Sequence, residues 1–393
     1  MIYNESLEYI RSLQKFGSRP GLDAIRKLCE ALGNPQEKLK FVHVAGTNGK
    51  GSTCNFIAKI LESSGFKTGL HTSPYISSPC EMFQINGANI TESDFARLVG
   101  TAKATGCTFT EYELYTAIVF LYFLEQNCDY VVLEVGMGGL LDSTNIIPPP
   151  EVAVITPIGY DHMGVLGNTI AEISAQKCGI IKENCKVVTS RQPGQDARSV
   201  IRKHAPNATL APIAEVIEAT SNGTTFAVDG EKFQITMLGT YQAENAATAI
   251  TVAKLLGCPP QAIAEGLINT KVPCRFEVLQ SENPIIIRDG AHNSAGAKAL
   301  ADSMKIHFPN KKITLMMGML SDKDCESCVE ILAPIASEFI AITPNSPRAL
   351  PANQLAAIAK RYCDNIRIGE QSEAFSTTKA EVVCLCGSFT LFK

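Results

Sequence analysis

Apolar residues follow two different patterns along the first 270 residues of the chain. At helical spacing over residues 5–32 they predict two short helices, the second stopped by Gly33. Shorter continuous apolar runs predict buried strands at Phe41–Ala45, Tyr130–Val135 and Val152–Thr156. An alanine- and leucine-rich helix is predicted at Glu244–Leu256, and the weakly apolar residues 187–235 favour irregular or antiparallel strands. The alternation of strands and helices predicts a mostly parallel sheet covered on both faces.

A second run of alternating strands and helices follows Pro273. The strands and helices predicted there are, in chain order, Pro284–Arg288, helix Ser294–Ile306, Ile313–Gly318, helix Asp324–Ala336, Phe339–Thr343 and Val382–Leu385. A chain of 393 residues exceeds what one hydrophobic core usually supports. We therefore predict an α/β protein of two domains: residues 1–272 with a P-loop-type, mostly parallel sheet, and residues 273–393 with a smaller Rossmann-like α/β fold.

Composition narrows the classes of partner. The net charge of −4 gives no reason to expect a nucleic acid, and no apolar run is long enough to cross a bilayer. The N-terminus lacks a secretory signal pattern, so we expect a cytoplasmic protein, and a monomer. Fourteen cysteines are scattered through apolar segments, which in a reducing compartment favours buried free thiols. A zinc site at Cys325, Cys328, Cys384 and Cys386 is the alternative, although it lacks a second well-spaced pair.

The glycine-rich segment 45–52, the phosphate loop, lies between a predicted strand and a predicted helix. Backbone amides of such a turn, together with the helix N-terminus, bind phosphate oxygens. We expect the ATP contacts to come from Thr47, Asn48, Gly49, Lys50, Gly51 and Ser52. Lys50 would hold the terminal phosphates, and Ser52 or Thr53 could reach Mg²⁺. Val44 and Gly51 depart from the usual Walker A pattern, and a tight turn without ligand is the alternative.

Three polar residues lie at or just after the ends of strands, at the sheet edge where α/β proteins bind ligands. They are Ser73, Glu134 and His162. A phosphoryl-transfer enzyme needs a divalent metal, and these side chains could supply its ligands. Taken singly, Glu134 could instead form a structural salt bridge, and His162 could be a hydrogen-bonded loop residue.

Five ordered segments resemble the folylpolyglutamate synthase/dihydrofolate synthase family of the Mur ligase superfamily. They are LGNPQ, GTNGKGS, LEVGMGGLLDSTN at 133–145, ITPIGYDHMGVLGNTIAEISAQKCGIIK at 155–182, and RFEVLQ…RDGAHNSAG at 275–296. The resemblance implies an ATP-dependent ligase that joins L-glutamate to a folate-type acid through an acyl phosphate.

The resemblance also implies two Mg²⁺ ions and their ligands. Ser73 and Glu134 match the ligands of one ion, and His162 and a carbamylated Lys177 match those of the second. Ser52 of the phosphate loop is a further expected metal ligand, and Lys50, His162 and Lys177 are the expected catalytic residues. The family's further ATP contacts match Asn245, Arg275, Asp289 and His292, with closure of the two domains around the nucleotide. An ordinary Asp-Gly turn with a helix cap is the alternative for the segment DGAHN.

Three positions depart from commoner members of the family, and three other functions compete. Tyr75, Met82 and Leu140 stand where a histidine, an arginine and another arginine are frequent, which leaves the choice between dihydropteroate and reduced folates open.

The nearest alternative function is that of a cell-wall Mur ligase, whose extra UDP-binding domain the short segment before the loop cannot supply. A kinase or NTP hydrolase, and a folate-binding homologue without catalysis, are the others.

Overall fold

The computed structural model describes residues 1–13, 21–282, 284–372 and 380–392. The chain divides into two compact units. Unit 1 comprises Met1–Ile213 and Asn245–Asn269, and unit 2 comprises Ala214–Glu244 and Thr270–Lys393.

Within its described residues, unit 1 contains an eight-stranded sheet with the order β4-β3-β2-β5-β1-β6-β7-β8. The strands are β1 Phe41–Ala45, β2 Thr68–His71, β3 Gln84–Ile85, β4 Ala88–Asn89, β5 Tyr130–Glu134, β6 Val152–Ile155, β7 Lys186–Thr189 and β8 Thr209–Leu210. Pairing is parallel from β2 to β8, and the short β3 and β4 add an antiparallel edge. The buried apolar residues of the central strands explain the parallel arrangement, since such strands need both faces covered.

Helices cover this sheet and place its loops. They are α1 Tyr3–Leu13, α2 Asp23–Ala31, α3 Lys50–Ser63, α4 Glu92–Ala104, α5 Glu111–Glu125, α6 Met163–Leu166, α7 Ile170–Cys178, α8 Gln195–His204, α9 Tyr241–Leu255 and α10 Pro260–Asn269. The central helix α5 is apolar almost all round and begins at a capping box between Thr110 and Glu113. Because β1, β2, β5 and β6 are parallel, the loops that follow them lie at one edge of the sheet.

Unit 2 contains two sheets in its described part. An antiparallel sheet has the order β11-β10-β9, and a mostly parallel one the order β12-β13-β17-β14-β15-β16. The strands are β9 Glu215–Thr220, β10 Gly223–Val228, β11 Glu231–Ile235, β12 Glu277–Gln280, β13 Ile285–Asp289, β14 Ile313–Met317, β15 Glu338–Ala341, β16 Ile366–Ile368 and β17 Val382–Cys386. Helices α11 Ser294–His307, α12 Cys325–Leu332 and α13 Ala352–Ala359 pack with the larger sheet.

The predicted fold class is confirmed, and two details differ from the sequence analysis. Residues 214–244 lie in unit 2, where Thr220 O and the Gly239 amide hydrogen-bond to the ring of His307. Residues 187–235 form antiparallel strands only from β9 onward; before them, β7 and β8 extend the parallel sheet and α8 intervenes. The apolar signal there is weak because β8 is exposed at the sheet edge.

The cysteines are free thiols, mostly buried. Among the described residues, no group of three or more His, Cys, Asp or Glu side chains could hold a metal ion, at the CxxC and CxC segments or elsewhere. No helix in the described part of the chain is long and apolar enough to span a membrane.

Candidate active site at the phosphate loop

Two glycines give the phosphate loop its shape. Gly46 has a φ of 154°, and a Cβ there would lie 1.8 Å from Thr156 Oγ1. Gly49, with a φ of 82°, caps α3, and a Cβ there would lie 2.4 Å from Oδ1 of Asn245. The predicted ATP contact Asn245 therefore lies against the loop. Both positions need glycine for conformation and for space.

The first part of the loop is fixed to the segment after β6. The amides of Thr47 and Asn48 donate to Pro157 O at 2.9 and 3.2 Å. The Thr47 hydroxyl donates to Gly159 O and accepts from the Gly159 amide, both at 3.1 Å. Because these two loop amides are engaged, the amides that begin α3 at Lys50 are the better placed to receive an anion.

Lys50, Glu134 and Ser73, three of the candidate site residues, lie close together. Lys50 Nζ lies 3.9 Å from Glu134 Oε1, and the two side chains are 18% and 5% exposed. Glu134 Oε2 accepts the Ser73 amide at 3.1 Å. Lys50 Nζ also donates to Thr47 O at 3.4 Å. A nearly buried carboxylate thus lies beside the loop lysine and the Ser73 backbone, where it could bind a metal cation.

The hydroxyls that begin α3 are buried. Ser52 is 2% exposed, and Thr53 is fully buried with no hydrogen-bond partner for its Oγ1. Gly51 lies against the same carboxylate, since a Cβ there would lie 3.5 Å from Glu134 Oε2. Carboxylate and hydroxyl oxygens are the ligands that Mg²⁺ prefers, so the residues present fit that ion.

Lys177 lies at the end of α7 in a buried position. Its side chain is 4% exposed, and Nζ donates to Gly46 O at 2.8 Å. Burial, followed by the charge of Lys50, lowers the pKa of Lys177 from 10.5 to about 7, against the opposing effect of Asp161 and Asp142. An amine with this pKa is about half neutral at pH 7, and its neutral form is nucleophilic.

His162 has an unusual backbone and a more exposed side chain. Its φ is 51°, its side chain is 40% exposed, and Nε2 lies 3.7 Å from Asp161 Oδ2. The His162 amide donates to Asp161 Oδ1 at 3.0 Å. Asp161, which the sequence analysis did not single out, therefore contacts His162 and acts electrostatically on Lys177. Its position directly before His162 was the available signal.

A buried network that the sequence analysis missed holds the loop after β5. Asp142 accepts from the Met137 amide at 2.8 Å and from the Thr144 amide and hydroxyl at 3.0 and 2.5 Å. His43 Nε2 lies 2.9 Å from Thr144 Oγ1. Since that hydroxyl donates to Asp142, the ring nitrogen is the donor in the second bond. Burial raises the pKa of Asp142.

Unit 2 brings Arg275, Asp289 and His292 together around Gly290. Asp289 is buried and accepts from the amides of Phe276 and Ala291 at 2.7 and 2.8 Å and from the Tyr241 hydroxyl at 3.2 Å. Burial raises the pKa of Asp289, and Arg275 opposes this shift.

The ring of Phe389 organises the same group. The Arg275 guanidinium lies 4.7 Å from its centroid, and the His292 ring lies 6.3 Å from it. His292 Nδ1 lies 2.8 Å from Gly290 O. Asn293 caps α11 by accepting the Gly296 amide, so the helix-cap alternative for DGAHN describes part of the segment. Phe389 lies far along the chain and could not be connected to DGAHN from the sequence.

The three departures from the family pattern lie in different environments. Tyr75 is half-buried against the main core of unit 1, and Met82 is a buried core residue whose carbonyl lies 2.9 Å from His71 Nδ1. Leu140 is 44% exposed. Glu81 accepts three amides of the turn 76–78. Met82 therefore has a packing role, and Leu140 is the departure that faces solvent.

Comparisons with known proteins agree over nearly the whole chain. Residues 44–253 match the Mur ligase middle domain, and residues 274–389 match the Mur ligase glutamate ligase domain. A dihydrofolate synthase/folylpolyglutamate synthase of Bacillus subtilis is 38% identical over 90% of this chain and 88% of its own length.

Solved structures agree as well. The folylpolyglutamate synthase of Thermotoga maritima has a TM-score of 0.86 at 33% identity, covering 99% of this chain and 95% of its own. Escherichia coli FolC in complex with DHPP and ADP has a TM-score of 0.88 at 27% identity, covering 98% and 95%.

Proposed function

The chain belongs to the folylpolyglutamate synthase/dihydrofolate synthase family of Mur ligases, and on this premise we propose how its residues perform the family's reaction. The protein is an ATP-dependent ligase that adds L-glutamate to a folate-type acid. The observation that supports this most directly is the buried Glu134 beside Lys50 at the phosphate loop.

The reaction takes place in two steps. The carboxylate of the acid attacks the γ-phosphate of ATP, which gives an acyl phosphate and ADP. The amine of glutamate then attacks the acyl carbon, and phosphate leaves as the amide forms. The protein contributes positioning and charge neutralisation, as is usual for phosphoryl transfer.

We assign the triphosphate to the phosphate loop. The amides of Gly49, Lys50, Gly51 and Ser52 would contact phosphate oxygens, and the Lys50 ammonium would neutralise charge on the terminal phosphates. The Thr47 and Asn48 amides are engaged with Pro157 O, so any contact of these residues with the nucleotide would come from their other atoms.

Two Mg²⁺ ions are part of the proposal. Ser52, Ser73 and Glu134 would hold one ion, and His162 with Lys177 would hold the other. When bound, such ions screen the charge between the nucleotide and the anionic acid. Lys177 would serve as a ligand after its neutral amine adds to CO₂, which forms a carbamate and releases a proton. The lowered pKa of this buried amine supports that step.

Further nucleotide contacts are proposed on both segments that the family motifs match. Asn245, which lies against Gly49, would contact the nucleotide beside the loop. Arg275 and His292 would contact phosphate oxygens, and Asp289 would accept from a ribose hydroxyl. We also propose that residues 1–272 bind ATP, that residues 273–393 form the glutamate-ligase domain, and that the protein is a cytoplasmic monomer.

An ADP-release assay tests the function. ADP should appear only when ATP, Mg²⁺, L-glutamate and an acceptor acid are all present. Dihydropteroate and a reduced folate are supplied in separate reactions, which identifies the acceptor. ATP turnover at the same rate without acid and glutamate would instead indicate an NTP hydrolase.

A further inference from the structure

Gln192 is a buried side chain whose amide uses both of its ends. It is 6% exposed and lies between β7 and α8 in unit 1. Its Oε1 accepts the amide of Ile158 at 2.9 Å. Its Nε2 lies 3.1 Å from Ser190 O and 3.3 Å from Thr156 O and from Thr189 Oγ1. One side chain thereby joins the segment after β6 to the segment after β7.

The segment that Gln192 holds is the support of the phosphate loop. Pro157 O, adjacent to the bonded Ile158 amide, accepts the Thr47 and Asn48 amides. Gly159, one residue further along, exchanges two hydrogen bonds with Thr47. The loop therefore rests on backbone atoms that lie within one residue of Ile158.

The same amide also holds the residue against which the loop turns. Gln192 Nε2 contacts Thr156 O. The side chain of Thr156 packs against Gly46 of the loop, since a Cβ at Gly46 would lie 1.8 Å from Thr156 Oγ1. Asp161 and His162 continue the segment after Gly159. A shift of this segment would move both the loop and the start of the proposed second metal site.

We propose that Gln192 is a positioning residue for nucleotide binding: its amide fixes residues 156–159, and these fix the phosphate loop in the shape that accepts a triphosphate. This inference rests on the proposed assignment of the triphosphate to the loop. Gln192 holds the backbone of residues 156–158, and Pro157 O accepts the Thr47 and Asn48 amides. The effect of Gln192 therefore reaches the phosphate loop through Thr47 and Asn48. Displacements of about 1 Å at a positioned group can lower rates about a hundredfold, which makes such a support measurable.

The test compares two buried glutamines. Gln192→Met keeps the length of the side chain and removes its hydrogen bonds. The matched control is Gln36→Met, because Gln36 is also 6% exposed in unit 1, and its Nε2 bonds to Asn34 Oδ1, away from the loop. Calorimetric titration with ADP and Mg²⁺ gives Kd, and thermal unfolding without ligand gives stability.

We expect Gln192→Met to raise the Kd for ADP by about tenfold or more, and Gln36→Met to leave it within about twofold. Amide hydrogen exchange at Thr47 and Asn48 should accelerate in the first variant alone. If Gln192→Met lowers the melting temperature and leaves Kd and this exchange unchanged, the residue is merely structural and the inference is wrong.

Two further variants keep the result interpretable. Lys50→Ala tests the assignment of the triphosphate to the loop: if this variant binds ADP normally, the proposed nucleotide site is wrong. If Lys50→Ala binds ADP weakly while Gln192→Met binds it normally, only the positioning role of Gln192 is wrong. If the methionine variant does not fold, Gln192→Asn withdraws the amide from Ile158 and keeps the site polar. The same rise in Kd is then expected, and an unchanged Kd overturns the proposal.

Discussion

Replacing Lys177 with methionine should stabilise the unliganded protein while it abolishes activity. The Lys177 amine is 4% exposed and donates a hydrogen bond to Gly46 O. Its pKa falls from 10.5 to about 7 because it is buried and lies near the charge of Lys50. In the unfolded chain the same amine is solvated and charged, so folding at neutral pH must remove a proton or bury a charge.

The size of this cost follows from the pKa. At about 1.4 kcal/mol for each pKa unit, a change from 10.5 to about 7 corresponds to about 5 kcal/mol. Loss of the bond to Gly46 O offsets about 1–2 kcal/mol of the gain. Lys177→Met should therefore raise the free energy of unfolding by about 3 kcal/mol at pH 7, or about 5–10 °C in Tm.

The pH dependence has a definite sign. Between pH 7 and 10.5 the unfolded chain binds the Lys177 proton and the folded chain does not, so wild-type stability rises with pH over this range. The advantage of Lys177→Met should be largest at pH 7 and should vanish near pH 10.5. Urea unfolding at several pH values in CO₂-depleted buffer measures it, with exposed Lys38→Met as the control. A Lys177→Met variant less stable than wild type throughout this range would refute the reasoning.

Carbamylation adds a second arm to the same experiment. Bicarbonate should stabilise the wild type, because the carbamate gives the buried side chain a form that Mg²⁺ can bind, and it should leave Lys177→Met unchanged. Lys177→Arg, which retains the cation, should be as inactive as Lys177→Ala, and small carboxylates should partly restore the alanine variant. Normal activity of Lys177→Arg would show that the carbamate is not required.

The sequence predicted the parts of the site that belong to one strand and the loop after it. Glu134 follows an apolar run and Lys50 follows glycines, so the period of the pattern and the turn chemistry were enough to place both at the same sheet edge. The fold class followed for the same reason, since buried parallel strands differ from surface strands in their apolar content.

What the sequence could not predict depends on contacts between distant segments. Gln192 bonds to residues more than 30 positions earlier, and His43 meets Thr144 across the sheet. Neither has a local pattern, because a buried polar residue is specified by partners that only the folded chain supplies. The left-handed backbone of His162 is a similar case, since non-glycine residues adopt it uncommonly and the sequence did not predict it at this position.

Three further predictions concern the charges and polar groups of unit 1. Lys50→Ala should lower turnover about a hundredfold or more and leave the melting temperature without nucleotide nearly unchanged, because the lysine lies at a partly exposed loop; near-normal turnover would contradict its role. Asp142→Asn should lower the free energy of unfolding by about 2–4 kcal/mol in urea titrations. The side-chain NH₂ group of the asparagine would face a donor, either the Met137 amide or the Thr144 hydroxyl, where a carboxylate oxygen now accepts. An unchanged urea midpoint would contradict the network. His43 and His71 should make the protein sensitive to acid. Burial lowers their pKa from 6.5 to about 3 and about 4, so the unfolded chain binds two protons that the folded chain refuses as the pH falls below 6.5. Between pH 6.5 and 5 this costs about 3 kcal/mol, and His71→Gln should roughly halve the loss; a wild-type stability that stays constant over that range would show that the buried rings accept protons after all.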